Sequence, residues 1–381
     1  MRLPSDRKQV QALYYNTMKN IDMQINISVL LDLLKSMVKI PSFSRQETFV
    51  ADMMETWLKE HGLPPHRKGN NLWLDSADAS EAGEPGAGQK PVILLNAHID
   101  TVRPAPSYTR DPFSPSLENG RLYGLGTNDD GASVIALLAA YIDLTSRPQP
   151  YRLIWSATAE EEVCGRDGIE LIFPEIGHID LGIMGEPTKM EMAVAEKGLM
   201  VLDCTVEGRS GHAAREEGVN AIYKALPDIE WFRTYRFPLI SPYLGGVKMT
   251  VTQINAGTQH NIVPDKCTFV ADIRSNGMYT NQELLALIKS SVKCDVKERS
   301  TRLGSSHIAE DHPIVLRAKA QGIRTFGSST TSNQTLSPFP TVKIGPGDSA
   351  RSHTADEYIE LDEMQEGIGI YVELLDGFQM K

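Results

Sequence analysis

An apolar segment, PVILLNAHID, ends in a histidine and an aspartate two positions apart, His98 and Asp100. A short continuous apolar run is typical of a buried strand in a parallel sheet, and residues i and i+2 of a strand point to the same face. The imidazole could therefore bind a metal ion while the carboxylate accepts a hydrogen bond from the other ring nitrogen. A histidine at a strand end is more commonly an ordinary polar residue, so this pair alone does not identify a metal site.

A glycine-rich stretch, GLGTNDDG, places Asp129 and Asp130 directly before an apolar helical segment. Aspartate is also a preferred residue at the start of a helix, so the pair could simply cap one. The stretch lacks the GxGxxG spacing and the Lys-Ser/Thr pair of nucleotide-binding loops, and its negative charge is unsuited to phosphate. A cation site is the interpretation that fits better.

Carboxylates or a histidine follow three further predicted strands: Glu160, Glu161 and Glu162 after YRLIWSAT, Glu186 after DLGIM, and His353 beyond PTVKIG. Three successive carboxylates could form a solvated charge run. However, binding sites in open α/β sheets form at the carboxyl ends of the strands, and adjacent carboxylates would repel one another there unless a cation neutralised them. Two histidines together with several carboxylates suit two zinc ions about 3.5–4 Å apart with a water between them.

The elements that must position these residues alternate between strand and helix from residue 91 to residue 187, which predicts an α/β layer with a mainly parallel sheet. The order then changes to strand, helix, strand, strand, helix, strand, which is typical of a small open-faced sandwich. The strand PTVKIG and a last helical pattern follow this unit. We therefore expect a discontinuous α/β catalytic domain interrupted by a smaller α+β domain. The expected boundaries are 1–22 for a disordered extension, 23–195 and 304–381 for the catalytic domain, and 196–303 for the inserted domain.

The composition limits the class of protein. The 381 residues include 38 Lys and Arg against 49 Asp and Glu, a net charge of −11, which argues against binding to nucleic acid. The longest apolar stretch, 134–141, is far shorter than the roughly 20 residues of a membrane-spanning helix, and residues 1–22 lack the apolar core of a signal peptide. The four cysteines have no paired spacing and indicate thiols of a cytoplasmic protein.

Five motifs occur in a recognisable order: GLGTNDDGAS, EEEVCG, GEPT, AEKGLMVLD and SHTADEY. On these motifs the sequence resembles the family of two-zinc aminoacyl hydrolases that includes acetylornithine deacetylase and succinyl-diaminopimelate desuccinylase, and it is most similar to the acetylornithine deacetylase-like branch. The resemblance extends from about residue 27 to residue 375. It implies a zinc-hydrolase domain, an inserted lid and dimerisation domain, and a homodimer with composite active sites.

The resemblance also implies a role for each matching residue. It implies five metal ligands, with His98 and Glu186 on one zinc ion, Glu162 and His353 on the other, and Asp129 bridging the two. Glu161 would be the general base, and Asp100 would orient the imidazole beside it. The family pattern usually has Lys-Gly after the bridging aspartate, whereas Asp130 is here followed directly by Gly131.

Further residues match the family in the predicted inserted domain. The resemblance assigns His212, within GRSGHAA, to the stabilisation of the tetrahedral oxyanion in the partner subunit's site. Asn261 and Arg274 match substrate-binding positions, and a guanidinium suits an α-carboxylate. From the residues alone, a loop histidine and a surface ion pair remain open as alternatives for His212 and Arg274. Arg351 and Lys197 are candidate cations for an additional carboxylate on the substrate.

These assignments predict a zinc-dependent hydrolase that removes the N-acyl group from an N-acyl-L-amino acid, namely N-acetyl-L-ornithine in arginine biosynthesis. N-Succinyl-L-ornithine is the principal alternative substrate, followed by acetylcitrulline, succinyl-diaminopimelate and dipeptides. Cobalt or manganese could substitute for zinc. A non-catalytic binding protein of the same fold is the alternative from another class. The presence of every expected ligand and of Glu161 argues against it.

Overall fold

The computed structural model describes residues 27–78, 90–215 and 217–380, so the predicted extension, residues 1–22, lies outside the described residues. In chain order, the helices of this part are α1 (Ile27–Val38), α2 (Thr48–Glu60), α3 (Ala132–Thr145), α4 (Ile169–Ile176), α5 (Ala221–Thr234), α6 (Asn281–Ser291), α7 (Pro313–Ala320) and α8 (Leu361–Leu375). The strands are β1 (His66–Lys68), β2 (Asn71–Asp75), β3 (Val92–His98), β4 (Ser116–Glu118), β5 (Arg121–Tyr123), β6 (Arg152–Thr158), β7 (Leu181–Met184), β8 (Met192–Glu196), β9 (Met200–Glu207), β10 (Lys248–Ala256), β11 (Lys266–Arg274), β12 (Asp295–Glu298), β13 (Ser306–His307), β14 (Thr325–Ser328), β15 (Thr341–Lys343) and β16 (Tyr358–Glu360).

The chain forms two compact units. The first comprises the described residues of Met1–Ala193, Ala309–Thr325 and Ser337–Lys381, and the second comprises Val194–Ile308 and Phe326–Leu336. The expected boundaries place residues 194–195, 304–308 and 326–336 in the catalytic domain, whereas this division places them in the second unit. The largest difference is the segment 326–336. This segment lies in the second unit, where Ser332 donates its backbone N–H (3.1 Å) and its hydroxyl (2.8 Å) to the buried carboxylate of Glu196.

The first unit is built on a sheet with the strand order β1-β2-β6-β3-β7-β15-β8. The central strands β6, β3, β7 and β15 pair in parallel, whereas β1, β2 and β8 add antiparallel strands at the two sides. The parallel strands β3, β6 and β7 are rich in apolar residues because both of their faces are covered, and every residue of β3 is buried. The predicted α/β class with a mainly parallel sheet is confirmed.

Helix α3 lies at the centre of the helical layer of this unit. Its residues from Ala132 to Leu144 are all buried, and it packs against α8 and α1. A helix that is apolar on all sides must be covered on all sides, which explains why α8 returns to it from the end of the chain. The Tyr371 hydroxyl of α8 donates a hydrogen bond to the carbonyl of Ile344, just after β15.

The second unit contains a four-stranded antiparallel sheet with the order β10-β11-β9-β12, so β10 is an edge strand. Helices α5 and α6 supply Phe232 and Ile288 to a core with Leu202 and Phe269 of the sheet. The predicted order of strands and helices in this unit is confirmed. Strand β8 crosses from the first unit into the second and pairs there with β13, and the Ile308 N–H donates to the Val194 carbonyl at 2.9 Å.

None of the helices in the described ranges combines the length and the apolar character needed to cross a membrane. The four cysteines are free thiols, in agreement with their spacing. Two of them, Cys204 and Cys267, are buried, whereas Cys164 and Cys294 are only half-buried.

Candidate metal centre

The predicted metal ligands all lie in the first unit, mostly just after strands of its parallel sheet. The register pairs His98 with Thr158, so β3 and β6 end side by side. In chain order, the ligands lie at the end of β3 (His98), in the irregular turn Thr127–Gly131 before α3 (Asp129), after β6 (Glu162), after β7 (Glu186), and after the short turn Ser349–Arg351 (His353).

Asp129 lies between the two histidines. Its Oδ1 is 3.2 Å from Nε2 of His98, and its Oδ2 is 3.8 Å from Nε2 of His353. One carboxylate oxygen therefore faces each imidazole. Glu162 lies on the side of His353, with Oε1 and Oε2 at 3.2 and 3.0 Å from Nε2 of that histidine. This hydrogen bond raises the pKa of His353 to about 8.

Glu161 and Glu186 lie on the side of His98. Potential donor atoms of His98, Glu161 and Glu186 are within 4.8 Å of one another, and the same holds for His98, Asp129 and Glu162. Oε2 of Glu161 is 3.8 Å from Nε2 of His98. The predicted general base and the predicted ligands therefore share one small space.

Burial and mutual repulsion determine the electrostatics of this space. Burial, reinforced by the charges of neighbouring carboxylates, raises the pKa of both Glu161 and Glu186 well above the ordinary value. The side chains of Glu161 and Glu162 are only 7% and 8% exposed. A divalent cation would offset this repulsion, and imidazole nitrogen with carboxylate oxygen is a donor set that zinc accepts. The residues present therefore fit one or two divalent cations.

Asp100 contacts both His98 and the turn of the two glutamates. Nδ1 of His98 is 2.9 Å from the backbone carbonyl oxygen of Asp100 and 3.4 Å from its Oδ1, so the main chain makes the closer contact with the imidazole. The Asp100 carboxylate accepts hydrogen bonds from the backbone N–H groups of Glu161 (3.0 Å) and Glu162 (3.1 Å) and from the Ser44 hydroxyl (2.8 Å). Asp100 thereby holds the turn that carries both glutamates.

Three residues around the site have left-handed backbone conformations. Glu160 (φ 57°) and Cys164 (φ 45°) flank the turn of Glu161 and Glu162, and His353 itself has φ 59°. This region costs a residue other than glycine about 1–3 kcal/mol and persists where surrounding contacts impose it. At Glu160 the contacts are a hydrogen bond from its N–H to the buried Glu47 carboxylate (3.3 Å) and one from the Gly165 N–H to its carbonyl (2.8 Å).

Two further residues, which the sequence patterns did not single out, hold the turn of Asp129. The Glu357 carboxylate accepts hydrogen bonds from the backbone N–H groups of Gly126, Asn128 and Asp129. The Asn128 side chain accepts a hydrogen bond from the N–H of Asp348 (2.9 Å) and donates one to its carbonyl (3.1 Å). The available signal was the presence of a second acidic residue in the SHTADEY motif, four positions after the histidine.

Arg351 also lies in the first unit, and its guanidinium is already paired. Nη1 and Nη2 donate hydrogen bonds of 2.7 and 2.6 Å to the two carboxylate oxygens of Glu363. The guanidinium carbon lies 4.6 Å from the centre of the Tyr358 ring. In this bidentate, stacked arrangement Glu363 already neutralises the charge that Arg351 was expected to offer to a substrate carboxylate.

Four of the predicted residues, Lys197, His212, Asn261 and Arg274, belong to the second unit. The Arg274 guanidinium donates to the Asp272 carboxylate through Nε (2.8 Å) and Nη2 (3.1 Å), and its Nη1 is 3.3 Å from the Thr331 hydroxyl. Nζ of Lys197 donates to the Gly246 carbonyl at 2.8 Å, and burial lowers the pKa of this amine.

His212 and Asn261 lie on adjacent segments of the second unit, and both are exposed. The N–H of Ala213 donates to the Asn261 carbonyl at 3.0 Å, and His212 forms an isolated antiparallel bridge with Ile262. Nδ1 of His212 accepts a hydrogen bond from the Ala214 N–H at 3.1 Å. In the neutral imidazole this assigns the proton to Nε2, which is then a donor.

The chain is similar to known proteins over most of its length. Residues 94–377 match the family described as Peptidase family M20/M25/M40. An acetylornithine deacetylase from Proteus mirabilis is 26% identical over 392 aligned residues, which cover 93% of this chain and 98% of that protein. A succinyl-diaminopimelate desuccinylase from Stenotrophomonas maltophilia is 26% identical over 382 aligned residues, covering 92% of this chain and 99% of that protein.

Among solved structures, a tripeptidase from Staphylococcus aureus superposes with a TM-score of 0.71. Its sequence is 19% identical, and the match covers 93% of this chain and 98% of that one, which shows that the fold is shared. The family match includes each of the strand ends that carry the predicted ligands and the turn that follows β15. The chain therefore belongs to peptidase family M20/M25/M40, and it is a metal-dependent hydrolase that acts on amide bonds.

Proposed function

We propose that the protein hydrolyses the amide bond of an N-acyl-L-amino acid with two zinc ions. The ligands that we propose are His98, Asp129, Glu162, Glu186 and His353. The observation that carries this proposal is the position of Asp129, which turns one carboxylate oxygen towards each histidine. N-Acetyl-L-ornithine is the substrate that we propose, because relatives named acetylornithine deacetylase align with nearly the whole chain.

When bound, the two ions would polarise the acyl carbonyl and acidify the attacking water. Glu161 accepts the proton of this water and passes it to the leaving nitrogen. Its buried position, with Oε2 3.8 Å from Nε2 of His98, supports this role. Asp100 keeps Glu161 in place through the hydrogen bond from the Glu161 N–H, and the Asp100 carbonyl orients His98.

The pairing of Arg351 removes one of the two candidate cations for a succinyl carboxylate, which favours an acetyl group. A succinyl group brings a second carboxylate, whose burial is costly without a cation to pair with it. The Arg351 guanidinium is instead neutralised by Glu363. A relative of equal identity is named as a desuccinylase, so N-succinyl-L-ornithine is the second candidate.

A direct test compares the release of free amine from N-acetyl-L-ornithine and from N-succinyl-L-ornithine by the zinc-loaded protein at equal substrate concentration. We expect a preference for the acetyl substrate. Glu161→Gln should keep both metal ions and lose about 10²–10⁴-fold in kcat, because it removes the proton acceptor and preserves the volume of the side chain. Metal content is therefore measured with every assay.

Each outcome of this test has a defined meaning. Preference for the succinyl substrate would replace the acetyl assignment. Inactivity on both substrates with metal bound would remove ornithine derivatives and leave the family chemistry in place. Loss of a metal ion from Glu161→Gln would make Glu161 a ligand and not the base.

We also propose that the protein is a homodimer formed through the second unit. Its edge strand β10 carries Ile254, which is 57% exposed, and helix α5 carries Tyr223, which is 71% exposed. An open strand edge with exposed apolar side chains is a surface that a second copy can cover. Ile254→Glu should convert the dimer to a monomer in light scattering, whereas Leu287→Glu on α6, also an exposed apolar position, should not.

In this dimer, His212 would donate a hydrogen bond from Nε2 to the oxyanion in the site of the other subunit. Mixing two inactive variants tests this. A heterodimer of Glu161→Ala and His212→Ala subunits contains one intact site if His212 acts across the dimer. Random pairing in a two-fold dimer should then restore about one quarter of the wild-type activity. If the mixture remains inactive although heterodimers form, His212 acts within its own subunit or has no catalytic role.

A further inference from the structure

The carboxyl group of Glu357 is one of the most deeply buried acidic groups beside the metal centre. The residue is only 2% exposed, and its two oxygens accept three backbone hydrogen bonds. Oε1 accepts from Asn128 and Asp129, both at 2.9 Å, and Oε2 accepts from Gly126 at 3.0 Å. Glu357 thus contacts the main chain of the turn that carries Asp129, although it is remote from that turn in the sequence.

The turn of Asp129 is connected a second time, in the opposite direction, to the segment of His353. The Asn128 amide bonds both the N–H and the carbonyl of Asp348, five residues before His353. Gly347 (φ +90°) makes room for this contact, because a Cβ there would lie 2.4 Å from Oδ1 of Asn128. Each segment therefore contributes one side chain that binds the backbone of the other.

We propose that Glu357 is a positioning residue of the metal centre. It fixes the backbone of Asp129 relative to the segment of His353 and so maintains the relative position of these two ligands. This inference rests on the proposed metal centre. Oε1 bonds the N–H of Asp129 itself, so loss of Glu357 acts on the orientation of this carboxylate and not only on the stability of the turn.

The test uses cobalt(II) as a metal probe with the full-length protein. Apo-protein is titrated with cobalt(II), and the visible absorption of the bound ion reports stoichiometry, affinity and coordination geometry independently of any activity. Glu357→Ala should weaken binding of at least one ion about 10–100-fold and change the spectrum, as expected when support of a ligand is lost. Glu357→Gln keeps an acceptor for Asn128 and Asp129 but turns an amide donor towards the N–H of Gly126, so its effect should be smaller.

Asp356 provides a matched control. It precedes Glu357 directly, and its carboxylate also accepts backbone hydrogen bonds, from Thr109 (2.9 Å) and Arg110 (3.0 Å), in a segment without predicted ligands. Asp356→Ala should lower thermal stability while leaving cobalt affinity and spectrum unchanged. A purely structural role of Glu357 would give the same result for both residues.

The outcomes separate this inference from the proposed function. Wild-type affinity and spectrum in the Glu357 variants would overturn the positioning role while the metal centre stands. An equal loss of affinity in Asp356→Ala would also overturn it, because the effect would then be general loosening. Failure of the wild-type protein to bind cobalt would overturn the metal centre together with the inference. If Glu357→Ala does not fold, Glu357→Gln decides, and a shifted spectrum with weaker binding supports the role.

Discussion

Replacing Asp100 with asparagine alters one buried side chain that holds the turn of Glu161 and Glu162. The carboxylate accepts the N–H of Glu161 through Oδ1 and the N–H of Glu162 through Oδ2, which also accepts the Ser44 hydroxyl. Asparagine has one acceptor oxygen. In either orientation of the amide, its NH2 group therefore faces a backbone N–H, and one of the two hydrogen bonds to the turn is lost.

The size of the effect follows from this loss. A hydrogen bond to a charged group contributes about 1.5–3 kcal/mol, and the unpaired N–H opposes an amide donor in a site without exposure to solvent. Since about 1.4 kcal/mol corresponds to a factor of ten, we expect kcat to fall about 10–100-fold. KM should change little, because Asp100 contacts the turn and not the substrate. The free energy of unfolding should fall by about 1–3 kcal/mol.

The assay is steady-state release of amine by the zinc-loaded variant, with metal content measured on the same sample. Ser44→Ala is the control, because it removes one hydrogen bond to the same carboxylate without touching the turn. It should cost about 1 kcal/mol in stability and less than tenfold in kcat. The reasoning is refuted if Asp100→Asn retains wild-type kcat, or if Ser44→Ala lowers kcat by as much.

Three other predictions concern pH, metal and backbone. The imidazole of His312 caps α7, because its Nδ1 accepts a hydrogen bond from the Ile314 N–H. Burial lowers the pKa of His312, so as the pH falls this histidine is protonated in the unfolded state before it is protonated in the folded state. The free energy of unfolding should therefore fall below about pH 6.5, and His312→Asn, which keeps a cap, should remove this part of the slope in denaturant titrations at pH 7.5 and 5. Chelation should lower the thermal midpoint, and zinc at about 1,000 times its Kd should restore about 4 kcal/mol; an unchanged midpoint would contradict metal binding to the folded state. Gly347→Ala should weaken cobalt binding by displacing Asn128, whereas Gly322→Ala, also at positive φ (+81°) but with open space around the Cβ position, should affect stability alone.

Much of the candidate metal centre was predictable because the ends of parallel strands can be recognised in the sequence. An apolar run followed by a polar residue locates the point where a parallel strand leaves the sheet, and His98, Glu161 and Glu186 were all found in this way. The sheet brings such points together irrespective of their distance along the chain. The position of these candidate site residues could therefore be predicted from a local pattern and one general property of parallel sheets.

The supporting contacts were not predictable, because they depend on the path of the backbone. Asp100 acts on the N–H groups of a turn, and Glu357 acts on a segment more than 200 residues away, as its separation of 228 positions from Asp129 shows. Short strands such as β4 and β16, with three residues each, were also missed because they are too short to give a periodic pattern. The placement of residues 326–336 depends on contacts between residues far apart in the sequence, such as the buried hydrogen bond from Ser332 to Glu196.

The hydrogen bond between Val194 and Ile308 has a consequence for the order of folding. The longer segment of the second unit, Val194–Ile308, begins and ends at this hydrogen bond. Folding of the segment therefore brings its two ends together. The entropic cost of closing a loop grows only slowly with its length. For this loop, the entropy is lost when the second unit folds. His353 lies beyond this junction and the other ligands lie before it. We therefore expect the metal centre to be completed late, after the second unit has brought the two halves of the first within reach of each other.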